Sequence, residues 1–222
     1  MITIQNLSKS YAFGEQACLP VLTSVSLRIR RGEFVALIGE SGSGKSTLLN
    51  IIGCLDRPTS GEYVLDGENV EALSRSRLSR TRNRKIGFIF QGFNLIPSLT
   101  ARENIELPLI YRNVERKLRG ELSAEALAAV GLSERAAHLP GQLSGGQQQR
   151  VAVARAIAAS PPLILADEPC GNLDRRNGGE VMEILHRLNE RGKTVVLVTH
   201  DEDAAREAGR IVRISGGRVC AA

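Results

Sequence analysis

Short apolar runs alternate with longer amphipathic stretches along this chain of 222 residues. The clearest runs are residues 34–38 (FVALI), 163–166 (LILA) and 194–199 (TVVLVT). Continuous apolar runs of this length are typical of strands whose two faces are both covered by helices. The pattern therefore predicts an α/β fold built on a buried, mostly parallel sheet.

Two parts of the chain depart from this pattern. Apolar and polar residues alternate from residue 2 to about residue 30, and we expect that segment to form an N-terminal antiparallel β layer with residues 62–65. Residues 92–159 are mostly helical in pattern, most firmly at 121–130 and 147–159. We predict one domain, with a core from 1–91 and 160–222 and an inserted helical lobe at 92–159.

A glycine-rich segment, residues 39–46 (GESGSGKS), follows the first apolar run. We call it the phosphate loop, because its glycines let backbone N–H groups approach phosphate oxygens at the start of a helix. Lys45 would reach the β- and γ-phosphates, the Ser46 hydroxyl would bind Mg²⁺, and Thr47 would offer a hydroxyl to the α-phosphate. The predicted nucleotide-binding residues here are Gly39, Ser41, Gly42, Ser43, Gly44, Lys45, Ser46 and Thr47. The alternative is a turn that merely joins strand to helix, but the full spacing favours nucleotide binding.

Two adjacent carboxylates, Asp167 and Glu168, follow the run at 163–166. Asp167 would hold Mg²⁺ through water, and Glu168 would orient or deprotonate the attacking water. An Asp-Glu pair in this position can also be a plain helix N-cap. The phosphate loop favours the catalytic interpretation.

A second glycine-rich element, residues 143–147 (LSGGQ), precedes a predicted helix. We call residues 144–147 the signature turn, and they are Ser144, Gly145, Gly146 and Gln147. A helix N-terminus attracts anions, so the Ser144 hydroxyl and the Gly146 N–H could contact a phosphate. The ordinary alternative is an N-cap serine in a flexible turn.

The chain resembles the ATP-binding cassette family from end to end. The resemblance rests on the phosphate loop, on the signature turn and on the QQQR at residues 147–150. The resemblance implies a P-loop NTPase (RecA-like) core that hydrolyses ATP with Mg²⁺. It also implies a dimer with a second copy of the chain, in which each signature turn caps the ATP held by the other subunit.

Further single residues match the family in order along the chain. Gln91 would link the Mg²⁺ site to the helical lobe, and His200 would contact the γ-phosphate. Asp174 lies in the loop that crosses the dimer interface, and Tyr11 stands where an aromatic ring packs on adenine. Taken singly, they could instead be a loop residue, a helix N-terminal residue, an N-cap and a core aromatic residue. The resemblance thus implies Glu168, His200 and Gln91 as catalytic residues and Ser46, Gln91 and Asp167 as metal ligands.

Residues 51–62, 91–95 and 103–109 resemble the macrolide-efflux and lipoprotein-release (MacB/LolD-like) group within the family. This implies a peripheral protein at the cytoplasmic face of the membrane, which drives a separate permease with an extracytoplasmic domain in export or mechanotransmission. We expect the permease to bind near residues 91–111. One departure is Cys170, where a threonine is usual.

The second departure from the group is a stretch that is more basic than expected. Residues 74–85 (SRSRLSRTRNRK) carry six cations and no acid, which accounts for the net charge of +5. This stretch could be a solvated helical face, or it could contact anionic headgroups or nucleic-acid phosphates. Because it contains no aromatic residue, base stacking is not supported and no nucleic-acid partner is expected.

Other features of the sequence restrict the function classes. No apolar run approaches the roughly 20 residues of a membrane span, and we expect no secretory signal. Four widely spaced cysteines suggest neither a zinc site nor a disulfide framework, as expected in a reducing cytosol. A DNA-acting cassette ATPase would carry a long insertion between the motifs, and this sequence has none there. A P-loop kinase or a regulatory nucleotide binder would need neither the signature turn nor His200.

Overall fold

A computed structural model of the chain describes residues 1–13 and 17–220. The strands are β1 (Ile2–Phe13), β2 (Ala17–Ile29), β3 (Phe34–Ile38), β4 (Ser60–Leu65), β5 (Glu68–Asn69), β6 (Ile86–Phe90), β7 (Leu163–Asp167), β8 (Thr194–Val198), β9 (Arg210–Ser215) and β10 (Arg218–Cys220). The α-helices are α1 (Lys45–Ile52), α2 (Arg75–Lys85), α3 (Ala101–Ile110), α4 (Arg116–Ala129), α5 (Gly145–Ile157), α6 (Arg175–Glu190) and α7 (Glu202–Arg206). The chain divides into two compact units, Met1–Arg82 with Thr194–Ala222 and Asn83–Lys193.

The first unit contains the predicted antiparallel layer. Its strand order is β2-β1-β4-β5, and Ile2 pairs with Ile29 on one side and with Leu65 on the other. These three side chains are fully buried, because one face of the layer forms part of the core. The expectation from the alternating pattern is confirmed.

The first unit also holds four strands of the parallel core, in the order β10-β9-β3-β8. Strands β8 and β9 both run parallel to β3, and β10 is antiparallel to β9. All five residues of β3 and all five of β8 are buried, as their continuous apolar sequences predict. Ala205 of α7 packs against Ala36 and Ile38 of β3. The strands at 34–38 and 194–198 are therefore confirmed.

The second unit combines the parallel pair β6 and β7 with helices α3 to α6. The helices predicted at 121–130 and 147–159 correspond to α4 and α5, although each begins a few residues earlier. Helix α3 begins with a capping box between Thr100 and Glu103. The single-domain boundaries and the lobe at 92–159 stay predictions.

The basic stretch forms α2. Arg75, Arg80 and Arg84 are exposed, as in a solvated helical face. Arg82 is half-buried, and its guanidinium donates to the carbonyl of Cys54 at 3.1 Å. In the described ranges, no helix combines the length and the apolar character that crossing a bilayer requires.

Candidate functional site

The phosphate loop connects β3 to α1 in the first unit. Gly42 and Gly44 have φ values of 76° and 100°, a backbone region that favours glycine. A Cβ atom on Gly44 would lie 2.7 Å from the Leu22 side chain and 2.9 Å from the Val21 carbonyl. Only glycine therefore fits at the position where the loop turns into the helix.

The loop presents hydrogen-bond donors around the start of α1. The N-cap residue, Gly44, gives the helix no side-chain cap, and the first N–H groups of a helix have no partner within it. Lys45 is 8% exposed, and its ammonium donates to the carbonyls of Gly39 at 2.7 Å and Glu40 at 2.8 Å. The buried Ser43 hydroxyl has no hydrogen-bond partner among the described residues. Such a set of N–H, O–H and ammonium groups suits a phosphate chain.

Tyr11 lies in β1, and the structure brings it to the start of α1. Its hydroxyl donates to Asp56 at 2.8 Å, and the Lys9 ammonium lies 4.7 Å from the ring centroid. The pKa of Tyr11 is raised by burial and by the Asp56 carboxylate, against an opposing hydrogen bond with Thr47. Burial raises the pKa of Asp56, but the hydrogen bonds from Lys9 and Tyr11 outweigh it and leave that pKa lowered. Tyr11 is thus held beside the phosphate loop, and with 39% of its surface exposed it is no core aromatic residue.

His200 follows β8 at the same sheet edge as the phosphate loop. Leu37 pairs with Val198, and the Thr199 N–H donates to the Leu37 carbonyl at 3.2 Å. The two strands are parallel, so Gly39 and His200 both emerge at their carboxyl ends, where open α/β sheets bind ligands. His200 is exposed there.

In the second unit, the parallel strands β6 and β7 end at the same edge of the sheet. Phe90 pairs with Asp167, so Gln91 and Glu168 are the next residues of the two strands. Gln91 is further tied to Asn172, whose amide donates to the Gln91 carbonyl at 3.1 Å. Parallel pairing therefore brings three predicted site residues to one edge.

No helix starts at the Asp-Glu pair. Residues 168–172 form a turn, which we call the base turn, and α6 begins only at Arg175. The Gly171 N–H donates to the Glu168 carbonyl at 3.0 Å, and Glu168 has a φ of 45°. The alternative of a helix N-cap at Asp167 and Glu168 is wrong.

Asp174 is the N-cap of α6, as its ordinary interpretation predicts. Its carboxylate accepts the Asn177 N–H at 2.9 Å and the Asn177 side-chain amide at 2.6 Å. These two hydrogen bonds hold the pKa of Asp174 below its ordinary value. Asp174 is exposed, so the cap leaves part of its carboxylate accessible to solvent.

Ser144 is the N-cap of α5, and its side chain accepts the Gln147 N–H at 3.3 Å. The Gln147 side chain in turn accepts the Ser144 N–H at 2.9 Å, which completes a capping box. The N-cap interpretation is therefore confirmed for the local structure. The N–H groups of Gly145 and Gly146 have no partner within the helix and remain at its N-terminus.

Two polar residues beside these motifs were not predicted as site residues. A Cβ atom on Gly146 would lie 2.1 Å from Asn177 Oδ1, so the Asn177 amide packs directly on the signature turn. Gln149 is fully buried, and its amide donates to the Pro169 carbonyl in the base turn at 2.8 Å. The signal for Gln149 was its position on the apolar face of α5, where a polar side chain needs a partner.

The predicted magnesium ligands are one hydroxyl, one amide and one carboxylate, from Ser46, Gln91 and Asp167. These are oxygen donors of the kind that Mg²⁺ prefers. Within the described part of the chain, no cluster of three or more His, Cys, Asp or Glu side chains could hold a metal ion by itself. The donor set fits an ion that takes most of its ligands from phosphates and water, as Mg²⁺ does in nucleotide sites.

Comparison with known proteins gives concordant matches. A family model described as ABC transporter matches residues 22–171. An uncharacterised ABC transporter ATP-binding protein of Thermotoga maritima is 54% identical over 211 residues, which cover 95% of this chain and 90% of that protein. The macrolide export ATP-binding/permease protein MacB of Marinobacter nauticus is 48% identical over 219 residues, which cover 99% of this chain and 34% of MacB.

One similar solved structure is the ATP-binding cassette MJ0796 of Methanocaldococcus jannaschii, a dimer in a post-hydrolysis state bound to ADP and Pi. It is 49% identical, with a TM-score of 0.91, and the match covers 99% of this chain and 96% of that one. The expected P-loop NTPase fold and the resemblance to the macrolide-efflux group are confirmed. ATP is the substrate, and Mg²⁺ is the usual cofactor of this family. The chain belongs to the ABC transporter family, as an ATP-binding cassette with ATPase activity.

Proposed function

We propose that two copies of this chain dimerise around two Mg-ATP and drive a separate membrane permease in export or mechanotransmission. MacB, which carries ATP-binding and permease functions in one protein, supports a permease partner, since this chain corresponds to 34% of its length. The dimeric cassette supports the homodimer. The protein would then lie at the cytoplasmic face of the membrane as a peripheral subunit, and the permease would determine the transported substrate.

The observation that carries this proposal is the donor set of the phosphate loop. Left-handed glycines at 42 and 44, an uncapped helix start, the buried Lys45 and a Ser43 hydroxyl without a partner among the described residues bring several hydrogen-bond donors into one short loop. In the proposed site Lys45 binds the β- and γ-phosphates and Thr47 the α-phosphate, while Tyr11 packs on adenine. Ser46, Gln91 and Asp167 hold Mg²⁺, which when bound neutralises charge on the phosphates.

The proposed catalytic groups lie after three strands. Glu168 accepts a proton from the attacking water, and His200 contacts the γ-phosphate. Gln91 connects this chemistry to the helical segment that follows it. Each site is completed by the partner's signature turn, whose free Gly145 and Gly146 N–H groups suit the γ-phosphate oxygens.

We further propose that the permease docks on residues 91–111. The exposed side chains of Ile96, Ile110 and Tyr111 support this, because they are 42%, 43% and 77% exposed despite their apolar surface. Stimulation of ATP hydrolysis by a co-expressed permease carrying a large extracytoplasmic domain would support the proposal. Stimulation by DNA instead would point to a DNA-acting cassette ATPase and contradict it.

The decisive test of the chemistry is Glu168→Gln, because an amide cannot accept the proton from water. We expect ATP binding to persist and hydrolysis to fall by about 100-fold or more, within the range that a general base contributes. The variant should accumulate as an ATP-bound dimer on size-exclusion chromatography. Glu121→Gln, an exposed position in α4, is the control and should hydrolyse ATP normally. Wild-type turnover by Glu168→Gln would show that Glu168 is not the base.

A further inference from the structure

Gln149 is a buried polar side chain in α5. It is fully buried, as are its neighbours Val151, Ala152 and Val153. Its Nε2 donates to the Pro169 carbonyl at 2.8 Å, while its Oε1 has no hydrogen-bond partner among the described residues. A buried amide with one unsatisfied atom is costly, and an apolar residue of the same size would avoid that cost. The one bond that Gln149 makes is therefore the feature to explain.

That bond fixes the backbone next to Glu168. The proline ring restricts φ of Pro169, and the hydrogen bond from Gln149 restricts the direction of its carbonyl. Glu168 itself has a φ of 45°, which a non-glycine residue keeps only when its surroundings hold it there. The Gly171 N–H holds the Glu168 carbonyl at 3.0 Å from the other side of the turn. The base turn is thus restrained on both sides of Pro169.

Gln149 belongs to the same helix as the signature turn. Helix α5 begins at that turn, capped by Ser144, and Gln149 lies in its second turn. The helix is continuous, so a displacement of its N-terminus moves the Gln149 amide with it. The hydrogen bond from Gln149 thus connects the helix that carries the signature turn to the Pro169 carbonyl, next to Glu168.

We infer that Gln149 is a positioning residue that couples the signature turn to Glu168 of the same subunit. The inference rests on the proposed function, in which the signature turn caps the partner's ATP and Glu168 serves the subunit's own. Engagement of one ATP by the signature turn then sets the backbone that orients the base of the other site. Gln149 does not touch the substrate, and it acts only through the base turn.

The first test is Gln149→Met, which keeps the length of the side chain and removes its donor. We expect kcat for ATP hydrolysis to fall by roughly tenfold to a hundredfold, as misplacing a catalytic group does, with KM for ATP nearly unchanged. Ser123→Ala is the control, because it removes another buried side-chain bond in the same unit, from the Ser123 hydroxyl to the Gly120 carbonyl at 3.0 Å. The control should lower thermal stability comparably and leave kcat unchanged.

The second test is Gln149→Glu, for which kcat is measured as a function of pH. A carboxylate cannot donate to the Pro169 carbonyl, but a protonated carboxyl can, and burial raises the pKa of such a group. Its kcat relative to wild type should therefore rise severalfold as pH falls from 8 to 6. Thermal unfolding at each pH shows whether the variant stays folded, and a rise of kcat in protein that is equally folded at pH 8 and pH 6 is not expected of a purely structural residue. This pair of measurements decides the matter if Gln149→Met does not fold.

A third measurement separates this inference from the proposed function. Glu168→Gln combined with Gln149→Met should still form the ATP-bound dimer, because Gln149 acts on the base and not on ATP binding. Wild-type kcat in folded Gln149→Met, a flat pH ratio in Gln149→Glu, or loss of the dimer in the double variant would each overturn the role of Gln149. Wild-type turnover in Glu168→Gln alone would overturn the proposed function instead.

Discussion

Helices α1 and α5 both begin after a glycine-rich turn, but their N-termini differ. The N-cap of α1 is Gly44, which has a φ of 100° and supplies no side-chain cap. The N-cap of α5 is Ser144, which exchanges two hydrogen bonds with Gln147. The N-terminus of α1 therefore has no side-chain cap, whereas that of α5 is capped by Ser144.

The difference indicates how each N-terminus meets a phosphate. An uncapped start leaves several N–H groups for one anion, and Lys45 adds a cation beside them. A capped start is stable without a ligand and keeps only its first N–H groups available. We infer that the phosphate loop binds ATP strongly within one subunit, whereas the signature turn adds a weaker contact that acts when the dimer forms.

Lys45→Ala should have the largest effect, because it removes the cation from the uncapped helix start. Charge-assisted hydrogen bonds contribute about 1.5–3 kcal/mol each, so we expect a loss of roughly 100-fold in affinity for Mg-ATP. Isothermal titration measures it, with Lys117→Ala on the exposed side of α4 as the control. Unchanged affinity in Lys45→Ala would contradict the assignment of this loop.

Ser144→Arg tests the role of the α5 N-terminus in the dimer. We expect this variant to bind ATP in its own phosphate loop but to fail to dimerise and hydrolyse, since a bulky cation would occupy the γ-phosphate cap. Mixed with Lys45→Ala, it should regain some hydrolysis above the sum of the two separate variants, because one composite site is then intact. Full activity of Ser144→Arg by itself would refute the composite site.

Tyr11→Leu should have a smaller effect on ATP binding. Stacking of a base on an aromatic ring contributes about 1–3 kcal/mol, so removing the ring should weaken ATP binding by about tenfold. Tyr11→Phe keeps the ring and loses only the hydrogen bonds of the hydroxyl with Asp56 and Thr47, and it should bind nearly as wild type does. Equal affinities of the leucine variant and the wild type would exclude adenine stacking on Tyr11.

Ser144→Ala should have the smallest effect, because it removes only the cap. Loss of an N-cap costs about 1 kcal/mol of unfolding free energy, measurable by urea denaturation. Thr100→Ala removes the cap of α3 in the same way and is the matched control. Both variants should lose similar stability, but only Ser144→Ala should weaken the ATP-bound dimer, by a few-fold. Equal dimerisation in both would assign Ser144 to the cap alone.

Much of the fold followed from local patterns in the sequence. The continuous apolar runs at 34–38 and 194–198 became buried parallel strands, since such runs need cover on both faces. The phosphate loop predicted the start of α1, which the structure confirms at Lys45. Helix limits were less accurate, and α4 begins five residues before the predicted 121. Helix ends depend on caps and tertiary packing more than on hydrophobic period.

By itself, the sequence determined the order of the motifs and the chemistry of their side chains, because these are properties of neighbouring residues. Only the tertiary structure decided which groups meet. It paired Phe90 with Asp167, folded Tyr11 against Asp56, and buried Gln149 against the Pro169 carbonyl. These contacts join residues 20 to 77 positions apart, and sheet register and core packing, which no local pattern encodes, bring them together.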